Sequence, residues 1–266
     1  MSGQGYDGDI PFRYDRRLGP VLFQPYAEEA ARRIASLAPS HVLEVAAGSG
    51  VLTRELRSRL PISARLTATD LSEDMLAIAR AKFEEGEPVS FAIVDACSLP
   101  YPDGAFDAVV CQFGYMFFAD KPKAVREAAR ALRPGGRYYL SVWDSEENNP
   151  YVSEALAVLR SFFPHDPPEW IREPSSCAAI DPIQKSLAAS GFESVRVSVV
   201  RFLREFDALS FAHGIVYGSP VFGEIAVRGG VDFRTVAHRY AEALTSKVGP
   251  TLPIQAIVFE AEKPLR

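Results

Sequence analysis

The sequence predicts an α/β fold in which a parallel sheet is wound by strand–helix–strand crossovers. Three observations predict it. Short apolar runs alternate with amphipathic helical patterns of roughly 10–15 residues, the signature of right-handed crossovers. The first run, His41 to Ala46, breaks into a turn of small residues that opens a helix near Val51. A polar residue stands near the end of each early run, Glu44, Asp70, Asp95 and Gln112, and ligands gather at the carboxyl ends of such strands.

In order along the chain, residues 1–11 are rich in glycine and aspartate and are expected to be mobile. Phe12 to Leu37 is helical, with Pro20 and Pro25 as breaks and Tyr26, Ala30, Arg33, Ile34 and Leu37 at helical spacing. Val42, Leu43 and Val45 suit a strand covered on both faces. Leu52, Leu56 and Leu60 mark one face of the next helix, which Pro61 ends. Ala64 to Thr69 is the second strand. Ser72 caps a helix carrying Met75, Leu76, Ala79 and Phe83. Val89–Val94 and Phe106–Cys111 are the third and fourth strands. Lys121 to Leu132 is helical, and Arg133-Pro134-Gly135-Gly136 turns into a fifth strand, Arg137 to Val142. Tyr151–Phe163 and Asp181–Ser190 are helical. Val195–Leu203 and Ile254–Glu260 are strands, and helical patterns over residues 207–249 are broken at Gly218, Pro220 and Gly229-Gly230.

The chain has 266 residues, 47% hydrophobic and 24% charged, which fits one large α/β domain with an insertion. Its formal charge of −5 offers no basic field for nucleic acid or an anionic membrane. Cys97, Cys111 and Cys177 lack metal-ligand spacing, and no metal site is expected. The N-terminus shows no signal pattern and no run reaches a membrane span, so a cytoplasmic setting is expected.

The turn Ala46-Ala47-Gly48-Ser49-Gly50 lacks bulk, so a ligand can lie against its backbone while the following helix offers its N-terminal N–H groups. A dinucleotide fingerprint needs a third glycine where Thr53 stands. An ordinary strand-to-helix turn without a ligand is the plainer alternative. Asp70, twenty residues after Gly50, is placed to accept from both hydroxyls of a ribose; it could equally serve the helix N-terminus that follows. Asp95 could accept from an adenine amino group beside Ala96, or cap its own loop.

Taken together, residues 41–144 resemble the core of class I S-adenosylmethionine (SAM)-dependent methyltransferases. VLEVAAGSGVLT resembles the cofactor turn, TATDLSEDMLAIAR the ribose strand and helix, VDACSLPYPDGAFDAVVCQFG the adenine and fourth-strand segments, and RALRPGGRYYLSVW the turn into strand five. The style is that of the small-molecule enzymes of ubiquinone and menaquinone biosynthesis. Glu44, Ala46, Gly48 and Gly50 meet the acid-x-(G/A)-x-G-x-G turn, with alanine at the first glycine position. The resemblance implies a Rossmann-like, doubly wound sheet of seven strands with an antiparallel last strand and helices on both faces. It also implies a single methyltransferase domain over 1–266: a helical cap (1–40), the cofactor core (41–144) and a substrate-side half (145–266).

Carried over position by position, Glu44 approaches the methionine amino group, and Ala46, Gly48 and Gly50 line its cradle. Asp70 holds the ribose, Leu71 and Met75 lie against adenine, and Asp95 and Ala96 fix its polar edge. Gln112 sits near the methionine moiety and the acceptor, and Tyr14 closes the site. The implied reaction is in-line methyl transfer to an O, N or C atom of a small apolar or aromatic metabolite, releasing S-adenosylhomocysteine. If a base is needed, His213, His165 and Tyr115 are the candidates. Phe113, Tyr115, Met116, Phe117 and Phe118 form either an acceptor wall or strand-end core. A monomer or homodimer is expected, with no nucleic-acid or membrane partner. The competing readings are a SAM-binding protein without methyl transfer and an NAD-type oxidoreductase.

Overall fold

The computed structural model describes residues 8–265; the expected mobility of residues 1–7 lies outside them. Among the described residues the sheet has seven strands: β1 His41–Val45, β2 Arg65–Asp70, β3 Val89–Ile93, β4 Phe106–Gln112, β5 Leu132–Trp143, β6 Glu193–Glu205 and β7 Thr251–Glu262. The order across the sheet is β3-β2-β1-β4-β5-β7-β6. β1 pairs parallel with β2 and β4, while β7 runs antiparallel to both β5 and β6. The expected antiparallel last strand is therefore present, slotted between its two predecessors.

Helices flank both faces. On one, α2 (Gln24–Ala35) and α3 (Val51–Arg59) bury Ala27, Ala30, Ile34, Leu52 and Leu56 with Val42, Ala108 and Val110 of the central strands. On the other, Val125 and Ala128 of α5 (Lys121–Ala131) and Ile183 and Leu187 of α7 (Ile180–Ala189) share a core with Leu43, Val109 and Leu140. Successive strand side chains point to opposite faces, so each central strand feeds both layers. The remaining helices are α1 (Ile10–Leu18), α4 (Glu73–Arg80) and α6 (Pro150–Phe162), and, between β6 and β7, α8 (Ala208–Tyr217), α9 (Val221–Arg228) and α10 (Phe233–Ala243). No helix among the described residues is long and apolar enough to cross a membrane.

Four local expectations are corrected. Ile10 and Pro11 belong to the first turn of α1, and Pro11 is buried rather than mobile. Pro20 and Pro25 do not break the helical region: α1 passes into α2 through a π turn, Gly19–Phe23, in which the Gln24 N–H donates to the Gly19 carbonyl. Widening the ladder by one residue lets the chain carry two prolines that lack the usual donor. Phe83 falls beyond α4, which ends at Arg80. Leu132 is strand, not helix: it pairs with Phe106, and the register with β4 shifts across Arg133–Gly136 before pairing resumes at Arg137.

Candidate functional site

The carboxyl ends of β1, β2 and β4, the loop after β3 and helix α1 enclose a cavity of about 230 Å³. Tyr14, Glu44, Ala46, Gly48, Asp70, Leu71, Met75, Asp95, Ala96 and Gln112 all line it. These positions span most of the chain's first half and converge because parallel strands end on one edge.

The turn after β1 is held open by its backbone. Ala46 and Gly48 take left-handed conformations, with φ of 54° and 55°. The Ala47 N–H donates to the Thr69 carbonyl at 2.9 Å, and Asp70 braces the rest. Its Oδ2 accepts from the Gly48 N–H at 2.8 Å and its Oδ1 from the Ser72 N–H at 2.9 Å. Burial raises the Asp70 pKa above the ordinary carboxylate value, while the backbone N–H groups of Ser72, Gly48 and Leu71 act in the opposite direction. Each oxygen retains acceptor capacity for a ligand hydroxyl.

Glu44 is only 2% exposed, and its Oε2 has no hydrogen-bond partner. Burial pushes its carboxyl up to about 8, with the nearby charge of Asp70 adding to the rise. A buried carboxyl oxygen without a hydrogen-bond partner is costly. An ammonium donor arriving from the cavity would remove that cost. Gln112 presents a second orphan: its Oε1 is buried and unpartnered, while Nε2 makes a long contact of 3.5 Å to the Phe23 carbonyl. Asp95 is exposed, and its Oδ1 accepts from the Cys97 N–H at 2.8 Å. Met75 is buried, whereas Leu71 is 49% exposed at the cavity's rim.

Gly50 is not among the residues that line the cavity; it caps α3 at φ 79°, and a β-carbon there would stand 2.7 Å from that of Ala79. Its smallness serves the approach of α3 to α4. The three base candidates also lie elsewhere. His165 is exposed in the loop after α6. His213 on α8 sits 5.3 Å from Tyr217 and 6.4 Å from His238 of α10, ring to ring. Burial and then the Arg17 charge lower its pKa. Tyr115 is buried in a 3₁₀ turn, Tyr115–Phe117, and burial pushes its hydroxyl up to about 12.

The aromatic segment divides between the two readings. Phe113, Phe117 and Phe118 line the cavity, whereas Tyr115 and Met116 are core. Phe23 and Trp170 complete the wall without having been singled out. Tyr14 stacks on Phe23 at 5.0 Å, and the Phe117 and Trp170 rings lie parallel with centroids 6.0 Å apart. Gly114 was also missed; a β-carbon on it would run into Ala46. Only adjacency to the fourth strand marked Gly114 in sequence, and Trp170 had no signal beyond an aromatic among prolines.

A family model described as a methyltransferase domain matches residues 42–136. A demethylmenaquinone methyltransferase of Thermus thermophilus is 48% identical over 101 residues, 38% of this chain and 46% of that protein. One of Mycolicibacterium vanbaalenii is 34% identical over 179 residues, 63% of this chain and 75% of that protein. The chain thus spans about half the length of the Thermus relative it matches. Phosphoethanolamine N-methyltransferase 2 of Haemonchus contortus, solved with phosphomonomethylethanolamine and S-adenosylhomocysteine, shares the fold. Its TM-score is 0.59 at 18% identity, covering 96% of this chain and 57% of that one. With a relative at 34% identity over three quarters of its length, and with acid-tipped strands around an open turn, the chain belongs to the class I SAM-dependent methyltransferases.

Proposed function

We propose that this chain transfers a methyl group from SAM to an O, N or C atom of a small apolar or aromatic metabolite, leaving S-adenosylhomocysteine. The observation that carries this is the buried, unpartnered Oε2 of Glu44, set in the same cavity as the Asp70-braced turn and an aromatic wall. The residues fit the cofactor: Glu44 would take its amino group, Ala46 and Gly48 its methionine backbone, Asp70 its ribose hydroxyls. Leu71, Met75, Asp95 and Ala96 would border its adenine. Bound there, SAM supplies a methyl group already activated by a sulfonium.

What remains for the protein is alignment. Tyr14, Phe23, Phe117 and Trp170 would hold a flat apolar acceptor by ring contacts, and the Gln112 Oε1 would receive one hydrogen bond from it. Positioning of this kind contributes several kcal/mol without a dedicated base, in keeping with a cavity lining that does not include His213, His165 or Tyr115. The demethylmenaquinone methyltransferase relatives support an acceptor of this apolar class. The chain is proposed to work as one unit, residues 1–40 capping the core of 41–144 and residues 145–266 closing the acceptor side. Three free cysteines, Cys97, Cys111 and Cys177, suit a reducing cytoplasm.

The test incubates the protein with methyl-labelled SAM and a panel of phenols, hydroquinones and aromatic amines. Labelled product with an equal amount of S-adenosylhomocysteine supports transfer. Tight binding with the cofactor recovered intact across the panel would favour a SAM-binding protein without transfer.

A further inference from the structure

The far edge of the sheet carries a self-complementary strip. β6 is last in the strand order, and among the described residues β7 is its one sheet partner. Its even-numbered side chains face α2: Arg33 donates to the Ser198 hydroxyl, and Tyr26 packs on Phe202 at 5.0 Å. The odd-numbered ones face the other way and, towards the end of the strand, reach solvent. Val199 is 55% exposed and Leu203 65%. Arg201 and Glu205, on either side of Leu203, are exposed, and their side chains have no ion pair or hydrogen bond among the described residues.

A long open edge with exposed apolar side chains is a template for another strand. Two copies of one strand, antiparallel about a twofold axis normal to the sheet, place each residue opposite its mirror position about the axis. An axis at Leu203 sets Leu203 against its own copy and Arg201 against Glu205 of the other chain, twice. An axis at Val199 would set Arg201 against Val197 and leave Arg201 without an opposite charge, since β6 is regular from Arg196 onward. Charge therefore selects the first register. We propose that two copies of this chain form a twofold dimer by pairing the Arg201–Glu205 ends of β6, which makes one sheet continuous across both.

Light scattering on the full chain across a hundredfold concentration range tests this. The mass should rise towards twice that of one chain as concentration increases. Arg201→Glu and Glu205→Arg each oppose like charges, and each should raise the dimer dissociation constant at least ~10-fold. The double variant R201E/E205R recreates the pairing and should restore the dimer. These side chains are exposed, so thermal unfolding should stay near wild type, which separates lost association from lost folding. A wild-type monomer at every concentration, single reversals without effect, or a double variant that stays monomeric would each overturn the proposal.

Discussion

Ala46 and Gly114 meet at the cavity wall, where a β-carbon placed on Gly114 would stand 2.3 Å from that of Ala46. Ala46 carries its methyl group in a left-handed conformation, φ 54°, at a cost of about 1–2 kcal/mol for a residue with a β-carbon. The facing strand exit makes room by having no side chain. An alanine in the first turn position and a glycine after the fourth strand are thus one arrangement.

Gly114→Ala should destabilise the fold by about 1–3 kcal/mol through overpacking, because Cys111 Sγ also lies 3.2 Å from the added carbon. Ala46→Gly should change stability by less than about 1 kcal/mol, relief of strain offsetting the freer unfolded chain. The double variant should then recover part of the Gly114→Ala loss. Urea unfolding of all four proteins measures the coupling; strict additivity would show that the two residues do not meet.

Gly50→Ala should cost about 2–4 kcal/mol, combining a strained left-handed residue with overpacking, since the new carbon would also lie 2.9 Å from Ala79 Cα. Its effect should be on melting temperature far more than on cofactor affinity in the protein that remains folded. A stable variant with lost affinity would return Gly50 to the cradle.

Asp70→Ala should weaken SAM binding by about 1–3 kcal/mol, because a charged acceptor of hydroxyl groups is removed. The Gly48 N–H loses its brace as well. Calorimetric titration measures it, and an unchanged dissociation constant would mean the ribose lies elsewhere.

Glu44 makes stability depend on pH. Its folded pKa, about 8, lies above the unfolded value, so the ligand-free folded state holds the extra proton. Stability conferred by that proton is complete below an unfolded pKa of about 4.3 and falls as pH rises through about 8. Glu44→Gln removes this dependence, so the variant should gain stability over wild type as pH rises, most of all above pH 8. It should bind SAM more weakly at the same time. Melting profiles across pH check this, and parallel curves for the two proteins would contradict it.

Much of this architecture can be read from side chains whose local role and tertiary role coincide. Val42, Leu43 and Val45 are strand formers that end up wholly inside, and Asp70 stands at the end of a strand, ahead of a Ser72 cap. The acids converge because parallel strands share one carboxyl edge. Illegible features came from contacts distant in sequence or from rare backbone. Nothing local tells that the π turn rescues Pro20 and Pro25, or that Leu132 pairs with Phe106 instead of finishing a helix. Nor does anything local tell that Gly50 must be small for Ala79, which lies on another helix. Trp170 joins the wall only once Phe117 is folded against it.

A crystal structure of the chain with S-adenosylhomocysteine bears most directly on where the cofactor lies. The ligand amino group should lie within hydrogen-bond distance of Glu44 Oε2, with its ribose hydroxyls on the Asp70 carboxylate and its sulfur facing the aromatic wall. A nucleoside bound anywhere else, with Glu44 still unpartnered, would contradict it.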